Sequence, residues 1–165
     1  MIKLCNVEEP TLLPGEHENT DDTVITLFGA ANVTLSKEEI SISHRLPGKE
    51  SARLNKPAAI LLKCDLRNTR NKLIRQKKAL RENQDFKRKY PDAFIVEHLT
   101  PMRSKVAYML RNDDTIAKTW TIDGRIKVVK SDALPTDKPI TIDSLMQLTK
   151  LGWSMKKIEN LIFED

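Results

Sequence analysis

Residues 58–64, AAILLKC, form a continuous apolar run that follows a basic, proline-bounded loop at residues 46–57. An apolar run of this length without alternation is typical of a strand that is buried on both faces of a sheet. We therefore predict that this run forms a central strand of a sheet.

Five further segments complete a first predicted domain. They are strands at 1–7, 39–46 and 93–99, a helix from Asn19 or Thr20 to about Ala31, and a helix from Asn68 or Thr69 to about Asn83. Alternation in the second strand puts three side chains on one face, namely Ile40, Ile42 and His44. The second helix has a narrow apolar stripe, formed by Leu66, Leu73 and Leu80 with Ile74 beside them. The order strand, helix, strand, strand, helix, strand predicts a ferredoxin-like or RNA-recognition-motif-like (RRM-like) βαββαβ domain over residues 1–98.

The sequence after residue 98 predicts a small α+β domain over residues 99–152. Thr100 caps a helix that has Pro101 in its first turn, and a strand follows at 138–142. Asp143 then caps a helix that Gly152 closes. Residues 153–165 are expected to form a tail of uncertain structure, with another helix turn or two at Trp153, Ile158, Leu161 and Ile162 that is docked loosely or frayed.

The segment KTWTIDGRIKVVK at residues 118–130 predicts a β-hairpin. Asp123 and Gly124 favour a type I′ turn, because both tolerate positive φ, and the flanks are rich in β-branched residues. If the residues on either side of the turn pair directly, one face carries Lys118, Trp120, Ile122, Arg125, Lys127 and Val129.

Two interpretations of Trp120 follow from this face. In the first interpretation, the indole lies among three cations and stacks on a base, an arrangement that suits a polyanion with flat bases. Alternatively, it packs into a small core with Ile122 and Val129 while the cations reach outward. We expect a mixture, in which the indole packs against its own domain and the three cations form one wall of a binding cleft.

Charge is distributed unevenly along the chain, whose formal net charge is +5. Residues 44–130 hold 22 Lys/Arg against 9 Asp/Glu, whereas residues 1–43 hold 2 against 8. Within the basic part, residues 67–89 hold 10 basic and 2 acidic side chains. This asymmetry indicates a polyanionic partner, since ordinary solvated surfaces usually mix signs.

Five segments carry a family resemblance: NVEEPTLLPGEHENTDD, VTLSKEEISISHRLPGK, KPAAILLKCDLRNTRNKLIRQKK, FIVEHLTPMRSKVAYMLR and KTWTIDGRIKVVKSD with the later KPITI. The most specific pieces are HRL at 44–46, EHLTP at 97–101 and WTIDGR at 120–125. In order and spacing they resemble the nucleic-acid-binding region of the first-open-reading-frame proteins of LINE-type retrotransposons. The baculovirus few-polyhedra protein is similar in its C-terminal part. The resemblance covers roughly residues 1–150.

The resemblance implies an RRM-like domain followed by a small C-terminal nucleic-acid-binding domain. Together these would grip single-stranded RNA or DNA in a basic cleft, without sequence preference and with chaperone-like activity. The binding residues it implies are one strand arginine, the cations of two helices, and the hairpin face: Arg45, Arg67, Arg70, Lys72, Arg75, Lys77, Lys78, Arg81, Arg103, Lys105, Arg111, Lys118, Trp120, Arg125 and Lys127. His44 and Arg45 have the alternative interpretation of ordinary strand residues.

Three features differ from that family's usual pattern, and one of them is the segment from Trp153 onward, which matches no part of it. Met1 opens almost directly in the first predicted strand and no heptads are visible, so the family's trimerising coiled coil is not expected and self-association stays open. The segments AAILLKC and KLCNV contain no aromatic residue on which an RRM would stack bases. Base stacking on the first sheet is therefore not expected.

Catalytic and metal-binding functions find little support in the sequence. It contains no phosphate-binding loop, no nucleophile elbow and no carboxylate cluster with a histidine, so we do not expect an enzyme. Cys5, Cys64 and the three histidines are scattered, so we expect reduced thiols and neither a metal nor a cofactor.

The sequence also gives expectations about the cellular location of the protein and about an alternative to nucleic-acid binding. No apolar run approaches the length of a membrane span, so we expect a protein of the cytoplasm, the nucleus or both, without a membrane partner. Lys77 and Lys78 with residues 87–89 also have the pattern of a bipartite nuclear-import signal. The alternative function is a protein-interaction adaptor, a domesticated or degenerate element copy that binds no nucleic acid. Partner binding with low salt sensitivity would favour that alternative.

Overall fold

The computed structural model describes residues 1–7, 17–46 and 57–163. The protein is of the α+β class and divides into two compact units, Met1–His98 and Leu99–Asp165. The basic loop predicted at 46–57 lies largely outside the described residues. Within the described ranges, no helix combines the length and the apolar character needed to cross a membrane.

A four-stranded sheet organises the first unit. Its elements in chain order are β1 (Ile2–Cys5), α1 (Thr20–Gly29), a 3-10 turn (Lys37–Glu39), β2 (Ile40–Arg45), β3 (Ile60–Cys64), α2 (Arg67–Glu82), α3 (Gln84–Lys89) and β4 (Phe94–Glu97). The strand order is β2-β3-β1-β4, and every neighbouring pair is antiparallel. The apolar run at 58–64 therefore supplies an inner strand, which confirms its predicted central position.

The core of the first unit lies between one face of this sheet and the helices. Ile2, Leu4, Ile60 and Leu62 are fully buried on that face. The helices contribute the apolar side chains of the same cluster, among them Val24, Leu27, Phe28, Leu73, Leu80 and Phe86. Full burial of each large aliphatic side chain contributes about 1.5–3 kcal/mol, so this alternating face stabilises the packing of the sheet against the helices.

Local capping chemistry sets the helix starts, with one departure from prediction. Asn19 caps α1, and its side-chain oxygen accepts from the backbone N–H of Asp21 at 3.1 Å. By contrast, α2 begins at Arg67, before both predicted caps. The hydroxyl of Thr69 is buried and donates to Glu39 Oε1 at 2.9 Å, so it is used in tertiary structure. The predicted caps of α2 are therefore wrong.

Two predicted apolar faces also need correction. A bulge in the pairing of β2 with β3 separates Ile40 from Ile42, so Ile40 is buried while Ile42 is 52 % exposed. An extra residue at a bulge reverses the alternation of side chains, which sequence spacing alone does not show. Leu66 is 64 % exposed because it precedes α2, and only Leu73 and Leu80 of its stripe are buried.

A three-stranded sheet and two helices form the second unit. Its elements are α4 (Pro101–Arg111), β5 (Ile116–Ile122), β6 (Arg125–Lys130), β7 (Ile140–Ile142), a 3-10 helix (Leu145–Leu151) and α5 (Met155–Phe163). The strands lie in the order β5-β6-β7, all antiparallel. The element predicted as a helix capped by Asp143 is a 3-10 helix with Ser144 at its N-cap. Gly152 closes it with φ +84°, as predicted.

The second unit extends beyond residue 152, where the sequence predicted its end. Trp153, Ile158 and Leu161 are buried in the same core as Val106, Leu110, Ile126, Val128 and Leu148. The expectation of a loosely docked or frayed tail is therefore wrong for residues 153–161. Apolar residues after Gly152 recur at helical spacing and complete a core that the three-stranded sheet and α4 leave open on one side.

Candidate nucleic-acid interface

The predicted hairpin is present with the expected register. Asp123 and Gly124 have φ of +53° and +74°, which is the backbone of a type I′ turn. Ile122 pairs with Arg125, and Trp120 pairs with Lys127. Period-2 alternation therefore separates the two faces of the hairpin as the sequence predicted.

Burial shows which hairpin face lies against the core. Ile126 and Val128 are 2 % and 0 % exposed and belong to the core of the second unit. The opposite face, called here the outer sheet face, carries Lys118, Trp120, Ile122, Arg125, Lys127 and Val129. Lys118, Ile122 and Arg125 are exposed, while Trp120 is half-buried and is not part of the core cluster. The interpretation in which Trp120, Ile122 and Val129 form a small core is therefore wrong.

Two cations of the outer sheet face have polar partners on neighbouring segments. Lys127 Nζ donates to Thr141 Oγ1 on the neighbouring strand β7. Arg125 Nε lies 3.4 Å from Asp143 Oδ1, and both side chains are largely exposed. An exposed pair of this kind contributes about 0–1 kcal/mol, so a phosphate can compete for the guanidinium at little cost. Arg103 of α4 also contacts the hairpin, because its Nη1 donates to the carbonyl oxygen of Gly124 in the turn.

A second group of cations covers helix α2 in the first unit. Its buried side is formed by Thr69, Leu73 and Leu80. Most of the predicted binding residues of this helix are exposed, namely Arg67, Lys72, Arg75, Lys77, Lys78 and Arg81. Lys78 lies 3.7 Å from Glu82, an exposed i,i+4 pair, and Lys72 donates to the carbonyl of Thr34 at 3.0 Å. The helix thus presents a cationic surface in which few acidic groups are interspersed.

Two predicted binding residues have structural roles instead. Arg45 donates to both carboxylate oxygens of Glu18, at 2.7 and 2.8 Å, and to the carbonyl oxygens of Val7 and Ala58. Arg70 donates to Glu97, whose side chain is almost fully buried. A buried carboxylate left without its cation would cost several kcal/mol, so both arginines are committed to the fold. We therefore remove Arg45 and Arg70 from the candidate interface.

Helix α4 contributes two further predicted cations and one residue that the sequence did not single out. Arg111 is exposed and Lys105 is half-buried. Between them Tyr108 is 67 % exposed. The segment PMRSKVAYMLR contains a pattern that could have identified Tyr108 as a candidate binding residue. The tyrosine has a cation three positions before it and another three positions after it, and i,i+3 neighbours lie on one helix face.

Asp113 joins the end of α4 to the C-terminal segment. Its carboxylate accepts from Trp153 Nε1 at 2.8 Å and from Lys157 Nζ at 3.2 Å. The Thr115 hydroxyl donates to the same carboxylate, and this and the other hydrogen bonds lower the pKa of Asp113 to about 2. Lys157 also lies 4.0 Å above the Trp153 ring. Trp153 is thus the core tryptophan of the unit, a role that one interpretation of the sequence gives to Trp120.

Comparison of the chain with protein-family models, with curated proteins and with solved structures gives no match. Among the described residues, no group of three or more His, Cys, Asp and Glu side chains is arranged to hold a metal ion. Two separate surfaces remain as candidates, namely the exposed cations of α2 in the first unit and the outer sheet face of the second unit, which carries cations and a tryptophan.

Proposed function

We propose that this protein binds single-stranded nucleic acid, RNA in the first instance, mainly through its phosphates and without reading sequence. The observation that carries the proposal is the outer sheet face. There an indole that is not needed for the core lies among Lys118, Arg125 and Lys127, a combination suited to a backbone with stackable bases. The cations of α2 add a second region with the same charge.

We also propose that the chain is related to the LINE-type first-open-reading-frame proteins, with chaperone-like activity on nucleic acid. The support is that the WTIDGR segment forms a tight hairpin that presents its tryptophan and arginine away from the core. For the first unit, the order β-α-β-β-α-β supports an RRM-like assignment, and the additional helix α3 before β4 is a departure from it.

Salt dependence tests the proposed function. Each phosphate neutralised on a single strand releases counterions, so log K falls with log salt by about 0.7 per phosphate. Six neutralised phosphates would give a slope of about −4 for a fluorescent polyuridine oligomer titrated with the full chain. A slope near zero would overturn the proposal and favour the adaptor alternative. A strong preference for one sequence over polyuridine of equal length would overturn its nonspecific character.

A further inference from the structure

Tyr108 lies on the outer side of helix α4. The residues that α4 buries are Val106, Ala107 and Leu110, and these pack into the core beneath the three-stranded sheet. Tyr108 is 67 % exposed, as expected for a helix position on the side opposite to that buried stripe. A large aromatic ring displayed in this way offers a flat face of the kind on which nucleic-acid bases stack.

Cations flank this ring along the helix. Lys105 precedes Tyr108 by three residues and Arg111 follows it by three, so all three side chains share one stripe of the surface. Arg111 is exposed at the last position of α4. The ring is therefore positioned between two positive charges, which is the combination also found around Trp120.

A groove of about 340 Å³ runs beside this stripe, between α4 and α5. Its polar lining includes Lys105, Ser154, Lys156, Lys157 and Asn160. Lys157 is paired with the Asp113 carboxylate at 3.2 Å, so its charge is largely matched within the protein. Lys156 and Asn160 are exposed, and Lys105 lines the groove from the α4 side. The groove thus retains a positive character with hydrogen-bond donors along its length.

We propose that the outer surface of α4 and α5 is a second contact surface for single-stranded nucleic acid. In this arrangement Tyr108 stacks on a base, while Lys105, Arg111 and Lys156 bind the adjoining phosphates. The inference rests on the proposed function. It extends that function to helix α5, which lies outside the segments that carry the family resemblance.

This surface is distinct from the outer sheet face. Helix α4 and helix α5 both pack on the side of the sheet that carries Ile126 and Val128. Trp120 and Lys127 project from the other side of the same strands. Tyr108 and Trp120 are therefore on opposite sides of a two-layer unit, and a strand held at one ring reaches the other only by passing around an edge.

Photocrosslinking to polyuridine that contains 4-thiouridine tests the inference on the full chain. Trypsin cleavage after Lys105 and Arg111 releases VAYMLR, in which Tyr108 is the only aromatic residue. Cleavage after Lys118 and Arg125 releases TWTIDGR, which carries Trp120. We expect nucleotide adducts on both peptides. Adducts on TWTIDGR alone, from a chain that binds, would overturn the second surface and leave the proposed function intact.

Two variants with matched controls give an independent measurement. Tyr108→Ala should weaken binding by about 5- to 150-fold, the worth of one stacked base, while Tyr108→Phe keeps the ring and the affinity. Lys156→Glu should weaken binding more than Lys150→Glu, which makes the same charge change at an exposed position outside the groove. Equal effects of the two lysine changes, with Tyr108→Ala unchanged, would overturn the inference. Absence of binding by the unaltered chain would overturn the proposed function itself.

Discussion

At the scale of single residues, the two tryptophans have different roles in the structure. Trp120 lies in the motif that forms the hairpin, yet its side chain is directed away from the core. Trp153 follows Gly152 without a recognisable motif, and it is 5 % exposed, with its Nε1 bonded to Asp113. Mutation of these two residues should therefore have effects of different kinds.

We predict that Trp120→Ala leaves the second unit folded and weakens polyuridine binding by about 1–3 kcal/mol, the cost of removing one base stack. Trp153→Ala should instead destabilise the unit by about 3–5 kcal/mol, because it opens a cavity in the core. Thermal unfolding and binding titration of the same two proteins measure both effects. An equal decrease of thermal stability in the two variants would contradict the assignment of Trp120 to the surface.

Arg45 shows why part of the site could not be predicted from sequence. The family resemblance of the HRL motif implied a binding role for this residue, with an ordinary strand residue as the alternative interpretation. Its guanidinium donates to Glu18, Val7 and Ala58, groups that only the folded chain brings together. The exposure and ion pairing of a side chain depend on segments that are distant in the sequence. Local patterns therefore locate cationic residues, but they do not show which of them form ion pairs within the fold and which face solvent.

At the scale of secondary structure elements, the hairpin and helix α2 were predictable for different reasons. The hairpin register follows from the Asp-Gly turn, because a two-residue type I′ loop fixes which residues face each other. Its buried face did not follow, since Ile126 and Val128 are selected by α4 and by the segment after Gly152. The position of α2 and its end near Asn83 were predicted from the sequence, but the further helix α3, Gln84–Lys89, was not anticipated.

Helix α2 also permits a charge-matched test of its role in phosphate binding. Arg75, Lys78 and Arg81 recur every three residues on the exposed side of the helix. Replacing all three by Gln should make the salt slope shallower by up to about 2, at about 0.7 for each phosphate that is no longer neutralised. Helix content should be retained, because Gln has a helix propensity close to those of Arg and Lys.

The control is the triple change of Lys87, Arg88 and Lys89 to Gln in α3. It removes the same charge from consecutive positions, which cannot all lie on one side of a helix. Circular dichroism verifies that both variants keep their helices. If the α3 variant changes the slope as much as the α2 variant does, net charge alone determines binding and α2 has no special place in the interface.

At the scale of the whole molecule, each unit has a hydrophobic core of its own. The cluster around Phe28, Ile60 and Leu73 is formed within residues 1–98, and the cluster around Val128, Leu148 and Trp153 within residues 99–165. A separate core is the main requirement for independent folding, although small units are only marginally stable.

We predict that a fragment of residues 99–165 unfolds cooperatively on heating, whereas a fragment of residues 99–152 does not. The shorter fragment lacks the buried side chains of Trp153, Ile158 and Leu161, each of which contributes about 1.5–3 kcal/mol by burial. Circular dichroism during thermal unfolding distinguishes the two. Cooperative unfolding of the shorter fragment with the same midpoint would show that α5 is dispensable for the core.

The placement of Cys5, Cys64, Trp120 and Trp153 gives each unit a spectroscopic reporter of its own. Both cysteines of the chain belong to the first unit and both tryptophans to the second. Burial raises the pKa of the Cys5 and Cys64 thiols, and the thiolate is the form that reacts with thiol reagents. Thiol-labelling rates therefore report on the first unit, and indole fluorescence reports on the second, in the unaltered protein.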